Sequence, residues 1–293
     1  MSSHLSIDPK LLAAVDDLSL LARTVVEGFL SGLHRSPFLG YSTEFASYRP
    51  YVQGDNLRHV DWKVWGRSDQ LNVKQFEDST NLTVQIILDT SGSMDFGNPS
   101  KFAYARLLAA ALAFLMVRQH DAPGLTLLGE HAVQALPPRS QQHHLDDLFQ
   151  LLAGARTGGH TVLGPELWKV VETFTRRGLA VVISDLFSPG EGFFELLRQL
   201  HVQRQETIVF QVLAPEEVDF DFPGNHLMVD SETGREIPLH AGAFRREYQR
   251  RLAAFCDRVQ KECVRREIDY LRIRTDEPLE GVLTAYLEQR MAV

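Results

Sequence analysis

Apolar residues along this chain recur in two rhythms. Short apolar runs rich in β-branched residues, Val84, Ile86, Ile87 and Leu88 and the continuous 179–183, have the length and composition of strands covered on both faces, and 207–213 reads as a further strand. Between and around them apolar residues recur every three or four positions. Leu11, Val15, Leu18, Ala22, Val25 and Phe29 predict an amphipathic helix that starts at Asp8-Pro9 and ends near Gly32. The Ala- and Leu-rich stretch 101–119 predicts a long buried helix, and Leu145, Leu148, Leu151 and Leu152 predict one that ends at Gly154. Further helices are expected from about Pro165, over 192–201, over 243–266 and over 279–289. Shorter strands fit 125–128, 132–136 and 268–273, and 226–229 with 236–239 flank Glu232-Thr233-Gly234 as a hairpin. Strands alternating with helices over this length imply a mostly parallel sheet with helices on both faces.

The first long strand ends in chemistry. After Ile87 and Leu88 come Asp89, Ser91 and Ser93, three oxygen-bearing side chains two residues apart, which an extended loop turns the same way. Gly92 allows a sharp turn there, at the strand-to-helix crevice where open α/β sheets bind ligands. Hard oxygen donors without His or Cys suit Mg²⁺ or Mn²⁺ rather than Zn²⁺. Asp and Ser are equally ordinary turn and cap residues, so this loop alone leaves both uses open. Two other positions can add oxygens. Thr161 follows Gly158-Gly159-His160 in a flexible loop, where local capping is its other use, and Asp185 ends the strand at 179–183, facing the same crevice as Asp89. The pair His143-His144 lacks any zinc-ligand spacing and fits a solvated helix start.

Composition narrows the class. With 293 residues, 44% of them hydrophobic, the chain can bury a large core, and a net charge of -8 argues against a nucleic-acid binder. Cys256 and Cys263 stand too far apart on one predicted helix to bond and are expected as free thiols in a reducing cytoplasm. No basic-then-apolar segment opens the sequence, so no secretion signal is expected. The most apolar stretch, 107–117, is short of the ~20 residues that span a bilayer. Residues 41–79 differ in character. Tyr48, Tyr51, Trp62 and Trp65 are interleaved there with Arg and Lys, but Glu44, Asp55, Asp61, Asp69, Glu77 and Asp78 balance the charge. A small module with internal Arg–Asp pairs is expected, and Leu71, Val73 and Phe76 suggest a strand leading toward the main sheet. The helix at 243–266 carries eight basic residues and three acids, a docking surface or a solvated face.

The order strand, D-x-S-x-S, helix, Gly-Gly-x-Thr, strand, Asp resembles the von Willebrand factor A domain, and Asp89, Ser91, Ser93, Thr161 and Asp185 match its metal-ion-dependent adhesion site. A narrower resemblance covers nearly the whole chain. The segment EFASYRPYVQGDNLRHVDWKVWGRSDQLNVKQFED, then DTSGSM, then DSETGREIPL look like the bacterial family named domain of unknown function 58. The resemblance implies a von Willebrand factor A-like, Rossmann-like, doubly wound α/β fold over 81–293 with an inserted β-hairpin, and a small module over 1–80 packed on it. It implies one Mg²⁺ or Mn²⁺ held by those five residues. It also implies a non-enzymatic protein-interaction module, an adaptor or co-chaperone for a MoxR-type AAA+ ATPase that supplies an Asp or Glu to the metal. Many such relatives carry amino-terminal transmembrane helices; this sequence departs from them, and a cytoplasmic location is expected.

One rival activity shares the architecture. A haloacid-dehalogenase-like phosphotransferase would use Asp89 as nucleophile, but such sites resemble D-x-D, whereas Ser91 stands at the second position and no suitable lysine follows in a loop. A serine hydrolase lacks its G-x-S-x-G, and the absence of a G-x-x-x-x-G-K-[ST] loop leaves ATP to the partner.

Overall fold

The computed structural model describes residues 17–33, 48–50, 72–74, 82–129, 133–159, 171, 178–187, 192–222, 224–229 and 236–291. Its centre is a six-stranded sheet. β3 (Thr83–Asp89) pairs in parallel with β4 (Ala122–Leu128) on one side and with β6 (Leu179–Ser184) on the other. β7 (Glu206–Leu213) and β10 (Asp269–Arg274) continue the parallel order beyond β6, and β5 (Val133–Leu136) closes the far edge antiparallel to β4. The order β10-β7-β6-β3-β4-β5 puts β3 inside the sheet, which is why its side chains from Val84 to Asp89 are all buried.

Helices cover both faces. On one lie α1 (Leu18–Leu33), α2 (Lys101–Arg118), α3 (Gln142–Gly154) and α7 (Leu279–Met291), whose apolar residues share a core with Ile86, Leu88, Val181, Phe210 and Ile273. On the other lie α4 (Gly192–Val202) and α6 (Ala241–Val264), packed on Ile87, Val182 and Val209. This doubly wound α/β sheet with one antiparallel edge is a von Willebrand factor A-like, Rossmann-like fold. Two small ribbons stand apart from the sheet: β1 (Tyr48–Pro50) with β2 (Asn72–Lys74), and the expected hairpin, β8 (Asn225–Val229) with β9 (Glu236–His240).

α2 has an uncommon environment. From Phe102 to Met116 almost every residue is buried, because the sheet covers one side and α1 packs on it from the other. Arg23 of α1 lies over the Phe114 ring at 5.9 Å. Ser100 caps α2, its hydroxyl accepting from the Ala103 N–H at 3.2 Å. The Tyr104 hydroxyl donates to the Glu277 carbonyl at 2.9 Å and so ties α2 to the turn ahead of α7.

Several expectations change. The start of the first helix, residues 8–16, the helix near Pro165 and the turn at Glu130-His131 lie outside the described residues. The residues around Val73 do not lead into the main sheet, because β2 pairs with β1 instead. β4 begins three residues before the expected Leu125, since Pro123 and Gly124 read as breakers. Gly124 is there for space: a Cβ would stand 2.7 Å from the Pro138 nitrogen and 2.8 Å from the Leu136 carbonyl oxygen. His143 is exposed as a solvated helix start requires, but His144 is not. Its ring is buried, with Nε2 3.1 Å from the Pro123 carbonyl, and burial lowers its pKa. A short helix, α5 (Pro215–Asp219), was not expected at all.

Cys256 and Cys263 are buried free thiols. Burial pushes the Cys263 thiol up to about 12. Both should resist a thiol reagent at pH 8 in the folded protein, reacting at least about 100-fold slower than after unfolding in guanidinium. The measurement is absorbance of the released thiolate with and without denaturant.

Candidate metal centre

Three structural decisions place the candidate residues. β3 ends at Asp89 on the carboxyl edge of the sheet, and the chain then turns into a short 3-10 segment, Gly92–Asp95, before α2. That turn is folded around Asp89 itself, whose Oδ1 accepts the Ser91 N–H at 2.9 Å. Thr90 fastens it sideways, its hydroxyl donating to the Leu128 carbonyl at 2.7 Å. The result brings the Ser91 and Ser93 hydroxyls to 3.0 Å from each other, with Ser91 buried.

The second carboxylate comes from the next strand. Ser184, the last residue of β6, donates its hydroxyl to Asp89 Oδ2 at 2.5 Å and accepts the Leu186 N–H at 2.9 Å. Asp185 follows directly and is fully buried. Leu186 sits at φ 66°, a left-handed conformation that costs a leucine about 1–2 kcal/mol, so the backbone is held against its preference here. Gln211 of β7 donates to the Asp185 carbonyl at 3.1 Å, and Gln211 in turn accepts from the Tyr270 hydroxyl of β10. A chain of hydrogen bonds along the sheet edge therefore fixes Asp185.

The third loop is joined at its base. The Gly158 N–H donates to the Thr90 carbonyl at 3.0 Å, and the Gly92 N–H donates to the Gly159 carbonyl at 2.9 Å. Thr161, two residues further on, lies outside the described residues. Asp89, Ser91 and Ser93 are thus gathered in one loop, Asp185 is joined to them through Ser184, and the segment leading to Thr161 is stitched to the same loop.

Two residues that sequence reasoning passed over belong here. Lys101, the first residue of α2, is fully buried, and its Nζ stands 2.7 Å from Asp185 Oδ2 and 2.5 Å from Glu217 Oε1 of α5. Burial raises the Glu217 pKa, and the Lys101 ammonium pulls it back down. A signal for Lys101 was present: a cation at the first position of a mostly apolar helix is misplaced with respect to the helix dipole. Glu217 gave no such signal. Several basic residues on and just after α6 are paired with acids, Arg250 and Arg251 with Glu247, Arg265 and Arg266 with Glu262, and Arg245 with Asp221.

The donor set fits a small hard cation. The Ser91 and Ser93 hydroxyls hydrogen-bond to each other at 3.0 Å, a spacing that neighbouring oxygens around an octahedral cation with bonds of about 2.1 Å would also adopt. Among the described residues no group of three or more His, Cys, Asp or Glu side chains is placed for a metal. Hydroxyls and water beside a carboxylate are a donor set suited to Mg²⁺ or Mn²⁺.

A family model for the protein of unknown function DUF58 matches residues 47–256. The chain belongs to the DUF58 family. An uncharacterized protein of Mycobacterium tuberculosis is 30% identical to this DUF58 chain over 254 residues, 84% of this chain and 79% of that protein. A Mycobacterium bovis protein gives the same figures. Among solved structures, BatB from Bacteroides thetaiotaomicron is 18% identical with a TM-score of 0.47, covering 72% of the DUF58 chain and 100% of that one. An aerotolerance-related membrane protein from Bacteroides fragilis is 19% identical with a TM-score of 0.46, covering 71% and 99%. Among the described residues of the DUF58 chain, no helix is long and apolar enough to cross a membrane.

Ser184 is the hinge of this arrangement. Replacing it with alanine removes one hydrogen bond from Asp89 Oδ2 and one from the Leu186 N–H, and should cost about 1–3 kcal/mol. Urea denaturation of Ser184→Ala beside wild type measures it as a lower midpoint at unchanged slope.

Proposed function

We propose that this DUF58 protein is a Mg²⁺- or Mn²⁺-dependent protein-interaction module, with Asp89, Ser91, Ser93, Thr161 and Asp185 as the metal site. The observation that carries it is the pair of hydroxyls 3.0 Å apart at the carboxyl edge of a doubly wound sheet, beside a carboxylate. Asp89, Ser91 and Ser93 hold the cation, directly or through water. Its part would be Lewis-acidic attraction for an incoming carboxylate. The chain's own residues orient the hydroxyls, exclude bulk water from Ser91 and Asp89, and keep Asp185 close by.

The partner, in this proposal, is a MoxR-type AAA+ ATPase that presents an Asp or Glu to the metal, and the protein acts in the cytoplasm as its adaptor or co-chaperone. The arrangement around Asp89 supports interaction over phosphotransfer. Its two oxygens are tied to the Ser91 N–H and the Ser184 hydroxyl, and the buried lysine engages Asp185 and Glu217. A nucleophilic Asp works best with an unencumbered oxygen facing the phosphorus and a cation facing the leaving oxygens.

The test pairs binding with turnover. A recombinant MoxR-type ATPase from the same organism should bind in Mg²⁺ and lose at least about 30-fold in affinity with chelator or in Asp89→Ala, while circular dichroism shows the fold retained. Affinity indifferent to both changes would remove the metal from the interface. Hydrolysis of p-nitrophenyl phosphate that disappears in Asp89→Asn would replace the proposal with phosphotransfer.

A further inference from the structure

The Lys101 ammonium is the only side-chain charge described within hydrogen-bond reach of Asp185. It reaches Asp185 from a fixed position. Lys101 is the first residue of α2, with the Phe187 ring 5.0 Å and the Phe96 ring 5.9 Å from its Nζ. The other side of the ammonium is taken by Glu217, whose Oε2 accepts the Ala214 N–H at 3.0 Å. The loop ahead of α2 can lie this close to α5 because of Gly97. It adopts φ 98°, and a Cβ there would stand 2.8 Å from Ala214 Cβ. The cation is therefore clamped between the metal-site carboxylate and an acid outside that site.

Both oxygens of Asp185 are occupied, Oδ1 by the Phe187 N–H at 3.0 Å and Oδ2 by Lys101 at 2.7 Å. A divalent cation drawing Asp185 into direct coordination would have to compete with this ammonium and approach it closely, and like charges at short range in a buried site repel strongly. An outer position, with a water between Asp185 and the metal, avoids both costs. The charge count has a second consequence. Asp89 and Asp185 both in direct contact would neutralise Mg²⁺; with Asp185 held off by Lys101, one carboxylate rather than two faces the cation, and more of its field is left for a partner's acid.

Resting on the metal-site reading above, we propose that Lys101 is a positioning residue that holds Asp185 out of direct coordination, and that Glu217 sets the strength of that hold. The lysine weakens metal binding in the isolated protein and in return leaves the bound cation electrophilic toward an acidic partner. Glu217 acts in the opposite sense, because it draws the ammonium away from Asp185.

The experiment uses Mn²⁺ alone as probe, by calorimetric titration at pH 7.5 of the full chain. Lys101→Met should bind Mn²⁺ at least about tenfold more tightly than wild type, and Glu217→Gln should bind it several-fold more weakly, since Lys101 then falls wholly to Asp185. A purely structural role moves both variants the same way, so the opposed signs are the signature. Should Lys101→Met fold only with metal present, its melting temperature will rise with Mn²⁺ more steeply than that of wild type, which supports the same conclusion. Wild type that binds Mn²⁺ while Lys101→Met binds it equally, or while both variants bind more weakly, overturns the role of Lys101 and leaves the metal site standing. Wild type with no Mn²⁺ affinity at millimolar concentration removes the metal site, and this role with it.

Discussion

An ammonium with no exposed surface, held between Asp185 and Glu217, is the constraint around which the carboxyl edge of this sheet is arranged. Taking three charges out of water costs several kcal/mol each before any attraction is counted, and a well-packed apolar cluster of the same volume would often be as stable or more so. The arrangement is therefore better understood as positioning than as stabilisation. It dictates that α2 begin at Lys101, that Gly97 carry no side chain, and that a short helix be placed after β7 to deliver Glu217.

The elements around this cluster divide into those that local pattern could reveal and those it could not. β3, β6 and β7 were legible because a strand buried on both faces is predominantly apolar, as 179–183 is throughout and 84–88 and 207–213 are apart from Gln85, Thr207 and Gln211. α2 and α3 were legible for their periodicity and composition. α5 spans five residues, too few for any period to register. The start of β4 is hidden because Pro123 and Gly124 ordinarily break strands, whereas here the missing Cβ of Gly124 makes room for the chain at Leu136 and Pro138.

The candidate site shows the same division. The loop Asp89 to Ser93 announced itself by alternating oxygens, and Asp185 by its place at a strand end. Ser184 was visible as a strand terminus, yet its bond to Asp89 depends on the parallel pairing of β3 with β6 across 95 residues of sequence. The clamp on Lys101 joins positions 84 and 116 residues apart, which no local pattern encodes. His144 illustrates the converse error. A polar residue near a helix start was expected in water, but the neighbouring strand offers the Pro123 carbonyl, and one good acceptor makes a buried imidazole tolerable.

The covering of α2 by α1 also bears on where this molecule can be divided. A helix apolar around most of its circumference needs cover on more than one side, and α1 is a layer that screens it from solvent, with Val25, Val26 and Phe29 buried in the shared core. Excising the α/β portion at residue 82 would strip that screen and expose a sticky stripe along the length of α2. The sheet owns the fold's topology, but its solubility belongs in part to a helix that precedes it by some fifty residues.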